Sequence, residues 1–137
     1  LTVSRQPLPE SGVHPASAAP HALRRAAERQ GLSWREIDLS AVHDKRSLMT
    51  AFAQGLRLPV GFGGNWDALA DVLHDQVTLN GVCLCLTGVS ACADRIPDDF
   101  RMLRSVLSDV AAEWQSRGRR CLVLLADVSP GGIASSS

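Results

Sequence analysis

The sequence predicts an α/β domain with a small three-stranded parallel sheet and helices packed around it. Two observations lead there. Residues 82–86 and 121–125 are continuous apolar runs bounded by turn residues, as strands covered on both faces are. Between them lies a long stretch of helical periodicity, and two parallel strands joined through a helix form a right-handed crossover. With 137 residues, 45% of them apolar, the chain has the size of one domain and material for one core.

Residues 1–18 carry prolines at 7, 9 and 15 and no apolar period, and read as a disordered tail. Residues 19–31 read as an N-terminal helix extension. Its helix spans 22–30, with Leu23, Ala26 and Ala27 on one side and Gly31 as a stop. An apolar side made mostly of alanine predicts weak docking. Residues 34–41 alternate, with Ile37, Leu39 and Ala41 on one face and Glu36, Asp38 and Ser40 on the other. That pattern predicts a half-exposed strand at a sheet edge.

Asp44 is placed to cap a helix reaching Leu58, with a stripe of Leu48, Ala51, Phe52 and Leu56 and with Pro59 as terminator. After a glycine-rich turn, Asn65 caps a second helix to about Asp75, which buries Trp66, Leu69, Val72 and Leu73. Pro97, Asp98 and Asp99 start the longest helix and Gly118 stops it. Its buried stripe is Phe100, Leu103, Val106, Leu107, Val110, Ala111 and Trp114, and Trp34 is expected to cover the sheet. Residues 129–137 hold Pro-Gly-Gly and three terminal serines and read as a second disordered tail, leaving 32–128 as the folding unit.

Charge and cysteine usage narrow the function. Fourteen Lys and Arg balance fourteen Asp and Glu, which excludes a nucleic-acid binder that works through a globally basic surface. No apolar run approaches membrane-spanning length and no secretory signal is legible, so no membrane partner is expected. Cysteines 83, 85, 92 and 121 form no Cys-x-x-Cys and have no histidine at zinc spacing. They read as reduced, buried, small hydrophobes in a cytoplasmic protein.

The informative stretch is 58–73, Leu-Pro-Val-Gly-Phe-Gly-Gly-Asn-Trp-Asp-Ala-Leu-Ala-Asp-Val-Leu. It fails as a phosphate loop, because it follows a helix rather than a strand and lacks Gly-Lys-Ser/Thr. Nothing in it calls for a cofactor. Asp67, Asp71 and Asp75 recur every four residues and so share one helix face, and no Lys or Arg occurs between 58 and 94. Such a row is either a solvated polar face or a surface for a cationic partner. A third reading makes Asp67, Asp71 and Glu113 the carboxylates of a metal-assisted hydrolase, with His74 beside the row. No nucleophile–base pair supports it, and His14, His21 and His43 are scattered.

At Pro59, Phe62, Gly63, Asn65, Trp66, Asp67, Ala68, Leu69 and Asp71 the chain resembles the barstar-like family of intracellular ribonuclease inhibitors. The resemblance implies a barstar-like fold over 32–128. It also implies that the motif helix and its preceding loop plug the cationic site of a ribonuclease. Asp71 would sit where an RNA phosphate binds and Asp67 would pair with basic groups. The glutamate five residues before the helix-ending glycine, here Glu113, would contribute as well. The implied partner surface is Gly61, Phe62, Gly63, Gly64, Asn65, Asp67, Ala70, Asp71, His74, Asp75 and Glu113, with no catalytic role. Gly61, Gly64 and Ala70 stand where the family's type member carries an aromatic residue, a glutamate and a tryptophan, which implies a nuclease other than barnase. A basic non-nuclease protein is the alternative partner.

Overall fold

The computed structural model describes residues 12–16, 18–58, 64–76 and 81–127. The elements run β1 (Gly12–Pro15), α1 (Pro20–Arg29), β2 (Ser33–Asp38), α2 (Lys45–Leu56), α3 (Trp66–Gln76), β3 (Val82–Thr87), α4 (Val89–Arg95), α5 (Pro97–Ser116) and β4 (Cys121–Leu125). All strand pairs are parallel and the sheet order is β1-β4-β3-β2.

The sheet therefore has four strands rather than the expected three, and the fourth falls inside the segment read as a disordered tail, 1–18. Gly12 to Pro15 pair in register with Leu122 to Leu125, and the Ala16 N–H donates to Leu125 O at 2.8 Å. Four residues are too few to show a period. The open edge of β4 orders them by offering unpaired backbone groups. Pro15 is tolerated because an edge strand needs its ladder on one side only. Residues 1–11 and 17 of that segment, and the expected tail at 129–137, lie outside the described residues.

The central strands are buried on both faces, as their unbroken apolar runs require. Val82, Leu84, Leu86, Cys121 and Val123 join the main core with α2, α3 and α5, including Phe52, Leu69, Leu73, Leu103 and Leu107. Cys83, Leu122 and Leu124 face the other way and form a second core with Leu23, Ala27 and Leu32. The helix expected to dock weakly thus closes the second face of the sheet. Ala27 is fully buried, and its small side chain lets α1 approach closely. All four cysteines are buried. Burial pushes the thiols of Cys83 and Cys85 up to about 12 and those of Cys92 and Cys121 up to about 11, which keeps them neutral.

Strand β2 lies at the edge, as its alternation predicts, and α2 packs hard against it. A Cβ added at Gly55 would come within 2.7 Å of Glu36 O and 2.8 Å of an Ile37 side-chain carbon. Replacing a helical glycine by alanine ordinarily stabilises by about 1 kcal/mol. Here crowding reverses the sign, since overpacking costs about 1–3 kcal/mol. Gly55→Ala is expected to lower the urea midpoint, with a net loss of up to roughly 2 kcal/mol; a raised midpoint would contradict this packing.

Helix α2 starts with a capping box, as Asp44 predicts. The Ser47 N–H donates to the Asp44 carboxylate at 2.7 Å, and the Asp44 N–H donates to the Ser47 hydroxyl oxygen at 3.1 Å. The Ser47 amide and hydroxyl hold the Asp44 carboxyl below its ordinary value of 3.8. A lowered carboxylate contributes stability above its unfolded value and loses it as pH falls through the folded value. Asp44→Ala is therefore expected to lower the urea midpoint at pH 7, with the difference shrinking below about pH 3.8. A gap constant from pH 7 to pH 2.5 would refute the capping role.

Helix α4 has no counterpart in the sequence reading. It is seven residues long and begins after Gly88 (φ 71°), where a Cβ would lie 2.6 Å from Ser40 N. Only glycine fits there. Arg95 Nη1 then donates to Ser40 O at 2.7 Å, tying α4 to the loop after β2.

Candidate functional site

Helix α3 carries the acidic row and is set by its own sequence. Asn65 Oδ1 accepts the Ala68 N–H at 2.8 Å, so the predicted cap is made. Gly64, just before it, has φ 70°. Leu69 and Leu73 point into the main core at 0% and 1% exposure. Asp67, Asp71 and Asp75 are all exposed, as their four-residue spacing requires. Among the described residues none of the three carboxylates makes a hydrogen bond or ion pair. Asp67 lies in the first turn, where the helix N-terminus favours a negative charge.

The fold brings Glu113 to this helix from forty residues away in the chain. Helices α3 and α5 pack together, and His74 Nε2 lies 3.3 Å from a Glu113 carboxylate oxygen. The His74 ring also meets the Trp114 ring at 5.5 Å between centroids. Glu113 is not a free acid like Asp67 and Asp71, because Arg117 Nη2 donates to its other oxygen at 2.9 Å. Ala70 is half-buried and packs on the core, while Gly64 and Asn65 are exposed at the head of α3. Gly61, Phe62 and Gly63 lie outside the described residues.

Cations at the rim were missed. The Arg117 and Arg119 guanidiniums lie 5.1 and 5.4 Å from the Trp114 ring centroid, and Lys45 Nζ lies 5.7 Å from that of Trp66. The i,i+4 spacing of Glu113 and Arg117 was a legible signal. Arg119 and Lys45 carry none, because their neighbours come from packing. Trp34, Trp66 and Trp114 are all half-buried.

An exposed helix whose carboxylates make no ion pair among the described residues presents a negative face on a rigid support. Among the described residues no group of three His, Cys, Asp or Glu is placed to hold a metal ion. No helix of the described residues is long and apolar enough to cross a membrane.

A family model described as Barstar (barnase inhibitor) matches residues 32–126. The chain belongs to the Barstar family. No curated protein matches it. The Barstar match begins just before β2 and ends just after β4, so it takes in α3, α5 and the whole acidic face. Strand β1 and helix α1 precede it. Barstar membership and a mixed α/β fold with a parallel sheet agree with the expectation drawn from the motif at 59–71.

Proposed function

We propose that this Barstar-family protein is a ribonuclease inhibitor, an immunity protein of the cytoplasm that binds one basic ribonuclease one-to-one and has no catalytic role. The observation that carries this reading is the pair Asp67 and Asp71, exposed and unpaired among the described residues on a capped helix, within a chain of that family. A ribonuclease site is cationic, because it holds phosphate and stabilises its transition state. Two free carboxylates on a rigid helix complement that field, speed encounter and exclude RNA. Glu113 joins them by exchanging its Arg117 and His74 contacts for cations of the partner. The loop at 61–64, with Asn65, Ala70, His74 and Asp75, completes the contact surface. With glycine at 61 and 64 and alanine at 70, the surface carries no large anchor at these three positions, which favours a target other than barnase.

The test is affinity capture from lysate and secreted fractions of the source cell. The paired baits are the wild type and Asp67→Ala/Asp71→Ala. A basic ribonuclease held by the wild type alone, and inhibited by it, is the expected result. A basic non-nuclease held by the wild type alone would transfer the surface to that partner class. Equal capture by both baits would overturn the assignment of the surface. Raised salt is expected to slow association more than it speeds dissociation.

A further inference from the structure

A second charged site lies away from the acidic face. The free edge of β2 borders a groove of about 590 Å³ whose lining includes Arg24 of α1, Trp34, Arg35 and Glu36 of β2, and Gly55 and Arg57 at the end of α2. None of the lining residues belongs to α3 or α5. Its volume is that of a small-molecule site.

The groove is closed to an added strand. Arg35 Nη1 donates to Trp34 O at 3.0 Å, and the backbone of Gly55 sits so close to Glu36 O that a Cβ there would reach 2.7 Å. Two carbonyls of the edge are thus covered, and the groove offers side chains instead of a ladder. Three guanidiniums stand against the single carboxylate of Glu36 in its lining. Glu36 is already engaged, accepting the Trp34 Nε1–H at 2.8 Å. Arg24 pairs with Glu28 at 3.1 Å across an exposed helix face, a contact that solvent screens.

Arg57 singles the groove out. It is the only non-glycine residue with positive φ among the described residues (φ 58°, ψ 46°), at a helix end where glycine or asparagine is usual. Its backbone N–H and that of Leu58 donate to Gln54 O and Ala53 O, so the carbonyls of the helix end are satisfied. Its own guanidinium makes no hydrogen bond or ion pair among the described residues. A strained backbone that carries an uncommitted cation to a groove is the mark of a site rather than of packing.

We infer that the groove between α1, β2 and α2 binds a small phosphate ester through Arg24, Arg35 and Arg57. Planar guanidiniums match phosphate oxygens two at a time. With Glu28 counted beside Arg24, three guanidiniums stand against two carboxylates, which leaves an excess of positive charge for an anion. The remaining volume admits an organic substituent, with the Trp34 indole as the apolar wall.

Calorimetric titration of the full chain at low ionic strength tests this, with pyrophosphate, AMP, adenosine and sulfate as probes. The decisive variant is Arg57→Gly, which removes the cation and relieves the left-handed backbone, so its melting temperature is expected to hold or rise. Pyrophosphate and AMP are expected to bind the wild type, and Arg57→Gly to weaken both by about tenfold or more, as loss of a charged hydrogen bond does. Tighter binding of AMP than of pyrophosphate would place the base against Trp34; equal binding would restrict recognition to the phosphate. Absence of heat with both at about 10 mM, far above ordinary ligand levels, would overturn the inference. So would unchanged affinity in Arg57→Gly, or sulfate binding as tightly as pyrophosphate.

Discussion

Asp71→Ala is expected to weaken binding of the captured ribonuclease by about 3 kcal/mol or more, because it strands cationic groups of the partner in a buried interface. That is a loss on the order of a hundredfold in Kd, read by titrating the partner into each protein. The same substitution is expected to leave the melting temperature unchanged or slightly raised. Asp71 is exposed and unpaired among the described residues, and its neighbours on the helix face, Asp67 and Asp75, are like charges whose repulsion it relieves. Full affinity in Asp71→Ala would show that the wrong face was chosen. A large fall in melting temperature would show that the carboxylate has a structural partner.

Leu69→Ala has the opposite profile. Leu69 is fully buried in the main core, half a turn from the carboxylates of Asp67 and Asp71 whose helix it anchors. Truncation is expected to cost about 2–5 kcal/mol, according to how far the cavity collapses. In a domain of this size that lowers the melting temperature by on the order of 10 °C. Affinity for the partner should fall too, but in proportion to the loosening of α3 rather than through charge. Salt separates the two variants. The Asp71→Ala interface should show a shallower ionic-strength dependence of association than the wild type, while Leu69→Ala should keep the wild-type slope. Identical slopes in all three proteins would remove the electrostatic account of encounter.

Apart from α4, the order of elements from β2 onward was legible because each rests on local chemistry. Caps at Asp44 and Asn65, the stop at Gly118 and the 3.6-residue stripe of α5 act within a turn or two of the chain. The runs at 82–86 and 121–125 declare strands with two covered faces. The acidic row of α3 was equally plain, since spacing alone puts Asp67, Asp71 and Asp75 on one face and Leu69 and Leu73 on the other. That none of the three makes an ion pair among the described residues fits the absence of Lys and Arg between 58 and 94; the cations at the rim were not legible from that stretch.

What the sequence alone determined, then, is the helices other than α4, the buried central strands and the face on which the carboxylates stand. Tertiary structure decided the rest. Strand β1 exists because β4 offers it an edge, and α4 because Gly88 lets the chain pass Ser40. Helix α1 is a cover for the sheet through a second core that no local pattern reveals. Glu113 meets His74 only after α5 packs on α3, and the arginine groove assembles residues from three elements. These features depend on pairing, close approach and charge across long chain separations. Local periodicity carries no information about such distances, because it records which face of an element is apolar and not what that face will meet.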